Sequence, residues 1–295
     1  MLTFSRIGIT VKSDLTEKDD VLKSVLRTIA KAGAEAHVDR ERVRGLPSAR
    51  GLPGFTSADD IDLLLVLGGD GTILRSVREL QNFSVPILSI NRGNIGFLAE
   101  MNVDEVPALL PTFLKGQGVL DERSVLHIYA TRKGKTLCDG YVLNEAVISQ
   151  GSIARLFDLK TSVNGESLTT FRADGLILST PTGSTAYTLA AGGPIVEPHL
   201  SAIILTPINP HSFSQKPIVL PGDHSVDVEV LTKDNKFGGV EVSLTLDGQM
   251  YFTLQRGDRI IATMNAHTVK FLRRKKETFY ATLRTKLKWG ERPEE

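Results

Sequence analysis

Residues 61–67 read IDLLLVL and are followed directly by GGDG at residues 68–71. A continuous apolar run of this length is typical of a parallel strand that is covered on both faces. The helical pattern that resumes over residues 72–80 places the glycine-rich turn between a strand and a helix. Strand-like and helical stretches alternate from residue 6 to residue 115, which predicts an α/β domain with an open, mostly parallel sheet.

The pattern changes near residue 122. Short runs rich in β-branched residues follow one another up to residue 271, and turn signals such as Asn164-Gly165 separate them. Only residues 184–191 look helical in this part. We therefore predict an α/β domain at residues 1–122 and a mainly β domain at residues 123–271, with a C-terminal tail, 272–295, that packs back on the first domain.

Composition argues against several classes of protein. The 295 residues include 35 lysines and arginines and 34 acidic residues, so bulk charge indicates neither nucleic acid nor a membrane surface as a partner. Cys138 is the only cysteine, and neither a signal peptide nor an apolar run of about 20 residues is visible. These features predict a cytoplasmic protein. The six histidines show no metal-ligand spacing, so no dedicated metal site is predicted.

The turn at residues 68–71 has the composition of a phosphate site. Ligands of open α/β sheets bind beyond the carboxyl ends of the strands, and glycines let backbone N–H groups approach phosphate oxygens. Asp70 is unusual there, because a carboxylate repels phosphate unless it holds a metal or accepts a proton from an attacking hydroxyl. The alternative interpretation is a tight turn with a local Asp contact.

Other polar motifs accompany this turn. NRGNIGFL at residues 91–98 follows the next strand and is expected at the same sheet edge as Asp70. Asn144-Glu145 interrupts an apolar strand, and residues 179–187 place hydroxyl groups before a predicted helix, where they either bind a ligand or only cap the helix. The basic run at residues 273–276 is predicted to be a solvated face.

The motifs GGDGT, NRGNIGFL, LNE, DGLILSTPTGSTAY, NPHSF and LDGQ occur in this order across residues 5–255. Together they resemble the NAD kinase family, in its bacterial form. The resemblance implies that ATP or polyphosphate donates a phosphoryl group to the 2′-hydroxyl of the adenosine ribose of NAD, giving NADP. It also implies Mg²⁺, held mainly by the donor phosphates, and a homodimer or homotetramer.

The resemblance assigns roles by position. Asp70 would be the catalytic proton acceptor. The phosphate-donor loop would comprise Gly68, Gly69, Gly71, Thr72 and Asn91. The NAD-binding residues would be Asp70, Gly71, Arg75, Asn144, Glu145, Arg155, Arg172, Asp174, Thr185, Ala186, Tyr187, Thr188, Leu189, Ala190 and Gln249.

Two other functions stay open at this stage. GGDG also occurs in lipid kinases and phosphofructokinases, although no basic amphipathic helix that would dock a lipid kinase on a membrane is visible. The second alternative is a dinucleotide sensor without catalysis. Asp70 argues against a sensor, because a carboxylate hinders phosphate binding unless chemistry or a metal compensates for it.

Overall fold

A computed structural model describes residues 1–14, 17–80, 83–93, 96–151, 156–231, 242–275 and 278–288. The first part of the chain alternates strands with helices, as the apolar periodicity predicts. Its elements are β1 (Arg6–Val11), α1 (Lys18–Ala32), β2 (Glu35–Val38), β3 (Leu63–Leu67), α2 (Asp70–Leu80), β4 (Ile87–Asn91), β5 (Met101–Asn102), α3 (Val106–Leu114) and β6 (Val119–Arg123).

The middle of the chain is built almost entirely of strands. These are β7 (Leu126–Arg132), β8 (Lys135–Val142), β9 (Glu145–Gln150), β10 (Phe157–Val163), β11 (Glu166–Ala173), β12 (Gly175–Ser179), then the short helix α4 (Tyr187–Ala190), and β13 (Ala202–Ile208), β14 (Ile218–Pro221), β15 (Ser225–Val230), β16 (Val242–Leu246), β17 (Met250–Leu254) and β18 (Arg259–Met264). The chain continues with β19 (Val269–Arg273) and α5 (Thr278–Leu287).

The chain divides into two compact units, Met1–Glu122 with Val269–Glu295 and Arg123–Thr268. The second boundary thus precedes the predicted one by three residues. The cause is β19, which pairs with β4 in parallel, Phe271 opposite Ile87, and so belongs to the sheet of the first unit.

The sheet of the first unit has the strand order β2-β1-β3-β4-β19-β6, with β5 beside β4. Strands β1, β2, β3, β4 and β5 pair in parallel, and every residue of β3 is buried. Helix α1 buries Val21, Leu22, Val25 and Ile29 against this sheet and ends at Gly33, whose φ of 82° suits glycine. The prediction of an open, mostly parallel α/β sheet is confirmed.

The second unit consists of two antiparallel sheets, with strand orders β11-β10-β15-β18-β7-β8 and β14-β13-β12-β9-β16-β17. Its apolar core contains buried residues from both sheets, such as Ile128 and Phe157 of the first and Ile148 and Leu178 of the second. Asn164-Gly165 forms the turn between β10 and β11 with both φ angles positive. The prediction of a mainly β second part is confirmed.

The helix predicted at residues 184–191 is replaced by a 3₁₀ turn over Thr182–Thr185 and the four-residue helix α4. Ala186 separates them, because its φ of −99° and ψ of −131° are not helical. Among the described residues, no helix is long and apolar enough to cross a membrane.

Candidate active site

Asp70 lies where a buried strand meets a helix. Leu67 ends β3, Gly68 and Gly69 make the turn, and Asp70 is the first residue of α2. Its carboxylate accepts hydrogen bonds from the backbone N–H groups of Phe97 (3.0 Å) and Leu98 (3.3 Å). The loop after β4 therefore contacts Asp70, and the expectation that both lie at one sheet edge is confirmed.

Gly96 makes this contact sterically possible. A Cβ atom at residue 96 would lie 2.2 Å and 2.4 Å from the two carboxylate oxygens of Asp70, which no real Cβ contact allows. Gly96 belongs to the motif NRGNIGFL, but its contact with Asp70 was not predicted from the sequence. The available signal was a second glycine five residues after the end of β4 at Asn91, which indicates a close approach of backbone to another group.

The rest of the glycine-rich turn is closely packed on one side and open on the other. A Cβ at Gly68 would lie 2.4 Å from Oγ1 of Thr72, whereas a Cβ at Gly71 would meet nothing within 4 Å. Thr72 is buried, and Oδ1 of Asn91 accepts a hydrogen bond from the N–H of Arg92 at 2.9 Å. Because nothing lies within 4 Å of a Cβ at Gly71, there is space for a ligand on that side of the turn.

A cavity of about 480 Å³ lies beside Asn91 in the first unit. Glu17, Asp20 and Asp104 line it together with Arg92. Asn91 of the predicted donor loop also lines it, but none of residues 68–72 does, so this cavity does not include Asp70.

Arg75, predicted to face phosphate, makes contacts inside the first unit. Its Nε lies 3.5 Å from Oε2 of Glu79, and its Nη2 lies 3.4 Å from Oγ1 of Thr10 in β1. Burial, and then the neighbouring charge of Arg42, lowers the pKa of Arg75. The sequence did not predict the contacts with Glu79 and Thr10.

In the second unit, both N–H and carbonyl groups of the backbone around Asn144 and Glu145 are hydrogen-bonded. The carboxylate of Asp247 accepts the N–H groups of Leu143, Asn144 and Glu145 at 2.9, 2.9 and 3.0 Å. The N–H of Thr180 donates to the carbonyl of Asn144 at 2.9 Å. These hydrogen bonds satisfy the backbone groups and fix the positions from which the side chains of residues 144 and 145 extend.

Two residues of this arrangement were missed from the sequence. A Cβ at Gly183 would lie 2.3 Å from the carbonyl oxygen of Asn144, so only glycine allows the turn after β12 to reach this backbone. Asp247 belongs to the LDGQ motif, in which only Gln249 was predicted to have a role. With Asp247 at φ 48° and Gly248 at φ 64°, this motif forms the tight turn between β16 and β17.

Glu145 is an almost completely buried carboxyl group, with 8% of the residue exposed. Its Oε2 has no hydrogen-bond partner among the described residues. Burial, and then the charge of Asp247, raises the pKa of Glu145 to about 8, against the smaller opposing effect of the Tyr187 N–H. Near neutral pH this carboxyl is therefore mostly protonated and able to donate a hydrogen bond.

We expect Glu145→Gln to remove a pH dependence of stability. Folding raises the pKa of Glu145 from 4.5 to about 8. The contribution of this group to the free energy of unfolding is therefore complete below pH 4.5 and is lost as the pH rises from there to about 8. Glutamine has no such proton to lose. Between pH 5 and pH 8.5, the free energy of unfolding of the variant should therefore rise relative to that of the wild type, by on the order of 3 kcal/mol.

Urea unfolding at both pH values measures this difference. Glu166→Gln, which changes an exposed glutamate of the same unit, is the control and should show no comparable gain. An equal gain in both variants would assign the pH dependence to net charge instead of to Glu145.

The other residues of the second unit that were predicted to bind the dinucleotide lie in different strands and turns. Asp174 accepts hydrogen bonds from Nε2 of Gln150 (3.2 Å) and Nδ2 of Asn209 (3.1 Å). Arg172 is exposed in β11, and Gln249 is exposed in the turn between β16 and β17. Arg155 lies outside the described residues.

Residues 185–190 combine a buried and an exposed part. Thr188 is fully buried, and its Oγ1 has no partner among the described residues. Tyr187 is 46% exposed. The remaining predicted residues of this segment, Thr185, Ala186, Leu189 and Ala190, lie in the 3₁₀ turn and α4 or between them.

Within the described ranges, no group of three or more His, Cys, Asp or Glu side chains could hold a metal ion. Asp70 offers one carboxylate, which already accepts two backbone hydrogen bonds. The described residues therefore do not assemble a dedicated divalent-cation site.

Comparison with known proteins places the chain in a family. Residues 7–118 match the model of the ATP-NAD kinase N-terminal domain, and residues 143–274 match that of the ATP-NAD kinase C-terminal domain. The NAD kinase of Geobacter sulfurreducens is 44% identical over 231 residues, which cover 78% of this chain and 80% of that protein. The NAD kinase of Citrifermentans bemidjiense is 40% identical over 275 residues, covering 92% and 94%.

Two solved structures share the fold. The crystal structure of yeast NADH kinase complexed with NADH has a TM-score of 0.85 at 24% identity and covers 99% of this chain and 90% of that one. An Archaeoglobus fulgidus NAD kinase in complex with ATP has a TM-score of 0.74 at 24% identity, covering 96% and 98%. By its two domain models and its relatives, the chain belongs to the ATP-NAD kinase family.

Proposed function

We propose that this chain transfers the terminal phosphoryl group of ATP, or of polyphosphate, to the 2′-hydroxyl of the adenosine ribose of NAD, giving NADP. The observation that carries the proposal is the Asp70 carboxylate, which two backbone N–H groups hold at the start of α2. Membership of the ATP-NAD kinase family supports the identity of the substrates.

Asp70 acts as the general base. A ribose hydroxyl is a poor nucleophile at neutral pH, because its proton must leave as the oxygen attacks phosphorus. Asp70 accepts that proton while a bond forms between the 2′-oxygen and the γ-phosphorus. The bond from this phosphorus to the oxygen bridging the β- and γ-phosphates breaks at the same time, and ADP leaves.

Residues of the second unit bind NAD. Protonated Glu145 holds a ribose hydroxyl group, because its buried Oε2 has no partner among the described residues and buried polar groups require partners. Asn144, the residue before it, holds another ribose hydroxyl group. Asp174, fixed by Gln150 and Asn209, binds the carboxamide or a ribose. Further contacts come from Arg172, Gln249 and residues 185–190, with Arg75, Gly71 and Arg155 beside the dinucleotide.

Residues of the first unit bind the phosphoryl donor. Gly68, Gly69, Gly71, Thr72 and Asn91 form the donor loop, and the open side of Gly71 admits phosphate. The complex of the Archaeoglobus fulgidus kinase with ATP supports a nucleotide donor. Mg²⁺, held mainly by the donor phosphates, would neutralise their charge during the transfer.

We also propose a cytoplasmic homodimer or homotetramer that has neither nucleic acid nor membrane as a partner. A single cysteine, buried in the second unit, fits a reducing compartment. The near balance of 35 basic and 34 acidic residues fits the absence of a nucleic-acid partner.

The test is NADP formation by purified protein given NAD, Mg²⁺ and either ATP or polyphosphate, measured with an NADP-specific dehydrogenase. We expect NADP from NAD, and no phosphorylation of diacylglycerol or fructose 6-phosphate offered in its place. Turnover of only one of these two acceptors would overturn the proposal in favour of a lipid or sugar-phosphate kinase.

A further inference from the structure

Arg273 is a buried arginine in the basic run that the sequence analysis assigned to a solvated face. That prediction is wrong for this residue, because Arg273 ends β19 and only 2% of it is exposed. Two buried carboxylates face its guanidinium: Asp121, 3.2 Å from Nε, and Glu100, 3.5 Å from Nη1. Burying three charged groups adds little net stability, so this cluster calls for another explanation.

The cluster is connected to the loop that holds Asp70. Nη1 of Arg273 donates a hydrogen bond to the carbonyl oxygen of Leu98 at 2.9 Å, and the buried hydroxyl of Ser89 donates to the same oxygen at 2.9 Å. The N–H of Leu98 in turn donates to Asp70. The carbonyl group held by Arg273 and the N–H group that donates to Asp70 thus belong to the same residue, Leu98.

We propose that Arg273 is a positioning residue for phosphoryl transfer. By holding the carbonyl of Leu98, it fixes the backbone of residues 97 and 98, whose N–H groups orient the carboxylate of Asp70. This inference rests on the proposed function, in which Asp70 accepts the proton of the ribose hydroxyl. Arg273 contacts no substrate in this role.

The chemistry of the side chain explains why arginine occupies the position. A planar guanidinium donates in fixed directions, so Nε reaches Asp121 while Nη1 reaches Leu98. The ammonium group of lysine is a single point charge and does not reproduce both contacts. The two carboxylates hold the guanidinium in place, and the carbonyl of Leu98 is held by it.

The experiment measures kcat and KM for NAD and for ATP in Arg273→Lys, Ser89→Ala and the control Arg274→Lys. Arg274 binds the same Glu100, and also Glu105, but its guanidinium donates to the backbone carbonyl of Glu100 instead of that of Leu98. We expect Arg273→Lys to lower kcat by about 10- to 100-fold with both KM values unchanged, because a small displacement of a catalytic group has effects of this size. Ser89→Ala should lower kcat in the same way but less, and Arg274→Lys should not.

A double variant separates positioning from a general loss of structure. If Arg273 acts through Asp70, adding Arg273→Lys to Asp70→Asn should lower the remaining rate far less than it lowers the wild-type rate. If Arg273→Lys lowers kcat by the same factor in the wild type and in Asp70→Asn, the inference is overturned. An unchanged kcat in Arg273→Lys, or an equal loss in Arg274→Lys, would also overturn it.

Two further outcomes have defined meanings. If Arg273→Lys does not fold, Ser89→Ala decides, and an unchanged kcat in that variant overturns the inference. No NADP formation by the wild type would instead overturn the proposed function, so the two failures are distinguishable.

Discussion

Asp70→Asn is expected to lower kcat for NADP formation by about 10²- to 10⁴-fold, the contribution typical of a positioned general base. Asparagine has nearly the same shape and retains one oxygen that can accept from Phe97 or Leu98, but it cannot take the proton of the ribose hydroxyl. NAD should still bind, because the residues proposed to hold it in the second unit are unchanged.

The measurements are kcat by the coupled dehydrogenase assay, NAD affinity by calorimetry and thermal stability. Unchanged kcat in Asp70→Asn would show that another group accepts the proton. A wild-type protein that binds NAD without forming NADP, and an Asp70→Asn variant that binds it as well or better, would favour the dinucleotide sensor.

Gly96→Ala is expected to lower kcat by about 10²-fold without altering any side chain that has a proposed chemical role. The added methyl group would lie 2.2–2.5 Å from the carboxyl atoms of Asp70, so either the carboxylate or the loop must move. Both movements disturb the hydrogen bonds from Phe97 and Leu98. The KM for NAD should change little.

Gly8→Ala is the matched control for this variant. A Cβ at Gly8 would lie 2.5 Å from Cδ1 of Ile61, a comparable clash in the same unit that does not involve Asp70. Gly8→Ala should therefore lower the melting temperature and leave kcat per folded molecule unchanged. Equal losses of kcat in the two variants would attribute the effect of Gly96→Ala to weakened folding.

Most of the fold could be predicted because its signals are local. The unbroken apolar run before the GGDG turn indicated a buried parallel strand, and all five residues of β3 are indeed buried. The predicted turn at Asn164-Gly165 depends on φ preferences of those two residues alone. The helix predicted at residues 184–191 formed only in part, because the backbone of Ala186 is not helical and separates a 3₁₀ turn from α4.

The candidate site was predictable to a similar extent. Asp70, Asn144 and Glu145 stood out because polar groups next to apolar strands need a reason to be there. That the loop at residues 91–98 would meet Asp70 followed from its place after the next parallel strand. The roles of Asp70, Asn144, Glu145 and all other candidate residues stay predictions, which the variants described above and the substrate assays address.

The amino-acid sequence by itself determined where most strands, helices and tight turns form, and which motifs carry reactive groups. Only the tertiary structure decided which distant groups support them. Gly96 lies 26 residues from Asp70, Asp247 lies 102 residues from Glu145, and Arg273 lies 175 residues from Leu98. The physical reason is that periodicity and turn preference act over a few neighbouring residues, whereas a hydrogen bond or a steric contact depends on which segments the sheets bring together.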